Sequence, residues 1–142
     1  MVRAKRREGR LVITDAEVDG ERVSVVIDTG SSQTIGNAAL RRKLERHGGL
    51  EIRGATDIIS VTGAALRGEL GTAKSLDIGG ARLERLNIVF AEAHTFGLLK
   101  LDRKPALLLG MNALRGFDQV SIDFAGRTVL LVLPRERARS KV

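Results

Sequence analysis

Apolar residues recur at every second position through much of this chain, and the runs stop at glycine-bearing turns, a pattern that predicts short strands joined by hairpins. Leu11 to Glu17 and Arg22 to Asp28 flank Asp19-Gly20, a dipeptide suited to positive φ in a two-residue turn, and so predict a first hairpin. Thr56 to Val61 and Leu66 to Leu70 predict a second, tipped by Thr62-Gly63-Ala64-Ala65. Lys74 to Ile78 and Arg82 to Phe90 form a third around Gly79-Gly80, and Val120 to Phe124 with Thr128 to Leu133 a fourth around Ala125-Gly126-Arg127. Ala106 to Leu109 is wholly apolar and predicts a buried strand ending at Gly110, and Thr34-Ile35 is extended.

Helical signals are few. Asn37 can cap a helix from Ala38 to Arg46, with Leu40 and Leu44 on one face and Gly48-Gly49 as its stop. A second, of one to two turns, is expected at Met111 to Arg115. Residues 91 to 105 are expected to form a loop that contains His94 and Gly97 and closes at Pro105. Many short strands with two short helices predict an all-β architecture, closed or sandwiched.

Composition narrows the picture. The 43% apolar content, rich in Val, Leu and Ile and without Tyr or Trp, describes an aliphatic core of one domain. With no cysteine there is neither a disulfide nor a thiolate metal site, and His47 and His94 show no ligand spacing, so neither a metal nor a cofactor is expected. No secretory core or membrane-length apolar run occurs, so the chain reads as cytoplasmic, or as the soluble domain of a longer membrane-anchored protein.

The net charge of +7 is divided between the ends: residues 1–10 carry +4 and residues 135–142 carry +3. Both are expected to be solvated basic tails around a domain at residues 11–134, whose 15 basic and 15 acidic side chains cancel. A body without a basic stripe predicts no specific nucleic-acid partner, and leaves polyanion binding to the tails as a minor reading.

One position breaks the apolar logic. Val23 to Ile27 is a near-continuous core strand, yet Asp28 follows it at once, then Thr29, Gly30, Ser31 and Ser32. A carboxylate at the edge of a core is costly unless its hydrogen bonds or its proton are managed. Asp123, in an alternating strand, is instead expected to face outward.

Taken together, Ile27-Asp28-Thr29-Gly30-Ser31-Ser32, the glycine-tipped hairpin after it, Leu108-Leu109-Gly110-Met111 with Leu114, and Ser121-Ile122-Asp123-Phe124 resemble the retropepsin-like aspartic peptidases, in their bacterial single-lobed form. The resemblance spans Leu11 to Leu133 and rests on order and spacing more than on the four-residue acid motif, which recurs by chance. It implies an all-β closed barrel with a flap hairpin and short helices, one lobe per chain.

The activity so implied is hydrolysis of peptide bonds in a polypeptide substrate. One carboxyl group takes a proton from water while another gives one to the substrate, and two carboxyls held close cannot both ionise, so they share a proton. Only one Asp-Thr-Gly occurs here, so a full dyad needs Asp28 from each of two chains, and the expected assembly is a homodimer. Gly30 would let the two loops approach. By the same resemblance, Thr29 interlocks with the partner loop, Ser31 donates to the outer oxygen of Asp28, and the Thr56–Leu70 hairpin is the flap. Its tip Gly63, with Thr62, Val61 and Ile59, would cover an extended peptide and wall apolar subsites. The alternative is a non-catalytic member of the fold, serving as a dimerisation or peptide-binding module.

Overall fold

The computed structural model describes residues 2–59 and 65–132. In chain order the elements are β1 (Val2–Arg3), β2 (Lys5–Arg7), β3 (Arg10–Ile13), β4 (Ala16–Val18), β5 (Glu21–Arg22), β6 (Ser24–Ile27) and β7 (Ile35–Gly36). There follow α1 (Ala38–His47), β8 (Glu51–Ile59), β9 (Ala65–Ile78), β10 (Ala81–Phe90), α2 (His94–Leu98), β11 (Ala106–Leu109), α3 (Met111–Leu114), β12 (Gln119–Asp123) and β13 (Thr128–Val132).

The all-β class holds, but the strands form two sheets and not one closed barrel. The larger runs β2-β3-β6-β11-β7-β10-β9-β4-β5, with β8 paired to β9, and the smaller runs β1-β13-β12. Its centre explains the longest apolar runs. Strands β6 and β11 pair in parallel, from Ala106 opposite Ser24 to Leu109 opposite Ile27, and both faces of the pair are covered. Val25, Ile27, Leu107 and Leu109 enter one hydrophobic cluster with Leu40, Leu76 and Ile88, whereas Val26, Leu108 and Ala106 enter another with Phe96, Leu99 and Leu101. A strand buried on both sides has no polar face to show, which is why its sequence runs instead of alternating.

All four hairpins are found, with differences that have physical causes. The first is split: β4 pairs with β5 around Asp19 (φ 50°) and Gly20 (φ 81°), while β3 pairs with β6 one register step away. The second and third share one continuous 14-residue strand, β9, because Gly71-Thr72-Ala73 stays in the ladder opposite Ile88, Asn87 and Leu86 and does not break it. A Cβ at Gly71 would stand 3.0 Å from the Phe90 ring, so the residue is a packing glycine and not a turn.

Two segments depart from expectation. Residues 1–10, read as a tail, hold β1 and β2: Val2 is buried opposite Val129, and β2 folds back on β3 through Glu8 (φ 47°) and Gly9 (φ 75°). Lys5, Arg6 and Arg7 are exposed, and the Arg7 guanidinium also donates to the Leu99 carbonyl at 3.3 Å. Within 91–105, read as a loop, Phe96 is fully buried and draws in α2. Helix α1 follows its signals: the Asn37 side chain accepts from the Leu40 N–H, and Gly48 ends it at φ 81°. The C-terminal stretch 135–142 lies outside the described residues.

Candidate active site

Asp28 lies directly past the last residue of β6, and its N–H donates to the Leu109 carbonyl at 3.0 Å, so the β6–β11 ladder continues into the acid loop. The carboxylate is half-buried, and Thr29 and Gly30 are exposed. A carboxylate directly after a core strand is tolerated in part because Asp28 stands at the rim of the core. There its Oδ1 accepts from the Gly30 N–H at 3.2 Å, and the Ser31 N–H donates to its carbonyl at 3.3 Å.

The loop is held from behind. The N–H groups of Met111 and Asn112, opening α3, donate to the carbonyls of Ser31 and Ser32 at 2.8 and 3.1 Å. Gly110 makes this docking possible, since a Cβ there would lie 2.1 Å from the Gln33 carbonyl oxygen. Thr34, fully buried, accepts from the Gly110 N–H at 3.1 Å and donates its hydroxyl to Asn112 Oδ1 at 2.6 Å, and Asn112 Nδ2 donates to the Asn87 carbonyl at 3.2 Å. Loop, strand and helix are thus cross-tied, and the buried Thr34 hydroxyl and Gly110 amide both find partners.

Asn37 does the same one layer below. Its Oδ1 accepts from the N–H groups of Leu40 and Ala106 at 2.9 and 3.1 Å, and its Nδ2 donates to the carbonyls of Leu101 and Lys104 at 2.9 and 2.7 Å. One buried amide therefore starts α1, anchors β11 and pins the preceding loop.

Of the residues read from the sequence, Asp28, Thr29, Gly30 and Ser31 are brought together as one loop. The Ser31 hydroxyl does not reach Asp28. It donates to the Gln33 carbonyl at 2.7 Å and so closes its own turn, because that acceptor lies nearer along the loop. Ile59 ends β8, opposite Ala65 in the register of the β8–β9 hairpin. Val61, Thr62 and Gly63 lie outside the described residues, so the hairpin arms are placed and its tip residues are not. Asp123 faces solvent and caps its own turn, accepting from the Gly126 N–H at 2.9 Å. Thr34 and Asn112 were not singled out by sequence, which carries no local signal for them; Asn37 was recognised only as a helix cap.

An aspartyl protease family model matches residues 14–113, a span that takes in the acid loop, the hairpin and the Gly110 segment, and the chain belongs to that family. The fold is similar to that of a retropepsin-like aspartic protease from Rickettsia conorii, known from a crystal structure, with a TM-score of 0.63 and 21% identity over 93% of this chain and 89% of that one. No curated protein matches the chain. Among the described residues, no helix is long and apolar enough to cross a membrane.

Proposed function

We propose that the protein is a homodimeric aspartic endopeptidase whose active site is assembled from Asp28 of each chain. The observation that carries this reading is the Asp28-Thr29-Gly30 loop itself: a single acid at the rim of the core, rigidly backed by β11 and α3, with its two following residues open to solvent. Gly30 supports it independently. Its φ lies outside the left-handed region, and the only contact a Cβ would make there is an ordinary one, 3.5 Å from Asp28 Oδ1. Nothing described within the chain demands glycine, whereas a second loop packed across a two-fold axis would.

In such a dimer the two carboxyls share one proton. The ionised one takes a proton from water as the water oxygen bonds to the scissile carbonyl carbon, and the protonated one gives its proton to the carbonyl oxygen. Collapse of the tetrahedral intermediate breaks the C–N bond, and a proton passes to the leaving amine. The β8–β9 hairpin serves as the flap over an extended substrate, with Ile59, Val61, Thr62 and Gly63 as its substrate-contacting residues. Cleavage beside hydrophobic residues is expected from apolar subsite walls.

Cleavage of an unfolded protein substrate by wild type and by Asp28→Asn tests catalysis. Activity confined to wild type supports the proposal, and equal turnover by both, or none by wild type, refutes it.

A further inference from the structure

The neutral body found in the sequence conceals a local imbalance. At the start of β6, at the opposite end of that strand from Asp28, a cleft of about 300 Å³ is lined by Thr14, Arg22, Val23, Ser24, Lys43, Lys104 and Pro105. Its three charged residues are all cations. They come from three separate parts of the chain, β5, α1 and the segment before β11, and only the fold brings them to one opening.

The frame around them is fixed. Asn37 Nδ2 holds the Lys104 carbonyl at 2.7 Å, the Ser24 N–H donates to Pro105 at 3.1 Å, and the Val23 N–H donates to Ala16 at 3.1 Å. The cations are not spent on acids. Among the described residues Arg22, Lys43 and Lys104 form no ion pair, although Glu17 stands opposite Arg22 in the β4–β5 register. The larger cleft of about 470 Å³ is different: there Asp19 and Glu84 stand beside Lys74, Arg82 and Arg85, and Arg82 already binds Asp77 at 3.0 Å.

We infer that the Arg22–Lys43–Lys104 cleft binds a phosphate group, either free phosphate or the phosphate of a small soluble monoester. Three like charges around one opening repel each other, and a dianion among them relieves that repulsion while gaining charge-assisted hydrogen bonds. Arg22 supplies a forked guanidinium, the two lysines supply point charges, and the Thr14 and Ser24 hydroxyls add neutral donors. The volume exceeds what one phosphate fills, which leaves room for a small ester group.

Calorimetric titration at fixed ionic strength tests this, with inorganic phosphate in one arm and glucose 6-phosphate in the other. Wild type should bind one equivalent per chain saturably, and Lys43→Gln and Lys104→Gln should each weaken binding about tenfold. Arg82→Gln, in the larger cleft, should bind like wild type. Tighter binding of the ester identifies a monoester site, and tighter binding of inorganic phosphate a site for the free ion. Thermal melts of the exposed lysine variants confirm that they fold. No saturable heat with either probe, or unchanged affinity in both lysine variants, would overturn the inference. Asp28→Asn should bind phosphate normally, so the outcome does not depend on the peptidase proposal.

Discussion

Gly110 and Gln33 approach so closely that a Cβ on the former would stand 2.1 Å from the carbonyl oxygen of the latter. Both partners are backbone, so no side chain can move aside. The acid loop and the start of α3 are consequently one rigid unit, joined by the Met111 and Asn112 amides. Gly110→Ala must displace one of them, and it is expected to cost about 3 kcal/mol and to abolish cleavage. Urea unfolding together with a cleavage assay checks this; wild-type behaviour in both would show that the close approach does not hold the loop.

Asn37 carries four hydrogen bonds from a fully buried position. Asn37→Ala removes that partner from two amides in the buried interior and from two carbonyls, of which Leu101 keeps the Lys104 N–H at 3.3 Å. The expected loss is about 3 kcal/mol of stability, dominated by groups left unpaired and not by the bonds themselves. Asn37→Asp should not recover it: the Leu40 and Ala106 amides keep an acceptor, but a carboxyl oxygen replaces the donor and faces the Leu101 and Lys104 carbonyls in a fully buried site. Chemical denaturation of the two variants orders them; a fall below 0.5 kcal/mol for the alanine, on the order of a surface change, would contradict this role.

Arg41 ties α1 to β9 by donating to Glu69, with Glu45 3.5 Å away and the Phe90 ring 5.9 Å below. The hydrogen bond to Glu69 raises the guanidinium above the ordinary arginine range, and burial opposes it. A base whose folded value is raised contributes stability at every pH below its unfolded titration and loses it only above, so mild alkali should leave this contact unchanged. Salt is the effective lever. With Glu69 45% exposed, Glu69→Gln should cost about 0.5 kcal/mol at low salt, the same at pH 7 and pH 9, and less in concentrated salt. Unfolding midpoints under those conditions decide it; a cost that differs between the two pH values would refute the assignment.

How far the chain could be read from its letters depended on the range of the forces involved. Asp19-Gly20, Gly79-Gly80 and Asn37 carry local instructions, and the turns and the cap lie where those residues stand. Phe96 does not: it is helical because distant strands offer it a pocket, and nothing beside it in sequence announces that. Val2 and the Glu8-Gly9 turn were masked by the surrounding positive charge, which suggested a solvated tail where the backbone pairs with β13 and β3. At the site, the acid loop was visible in a few adjacent residues. Its support by Thr34, Asn112 and Asn87 was not, since it joins positions that meet only after β7, β10 and β11 are assembled. The basic cleft was hidden for the same reason, because summing charge along a chain cannot reveal charges gathered across it.

The central claim is that each chain holds half of an active site, and subunit mixing tests it most directly. Wild type at fixed concentration is co-refolded with increasing Asp28→Asn chain, and the cleavage rate of one peptide is measured. If the dyad takes one Asp28 from each subunit, a ninefold excess of the variant leaves about one tenth of wild-type chains paired with each other, and the rate should fall to about one tenth. A rate that stays constant as the variant is added would mean that one chain is sufficient, and would contradict the account.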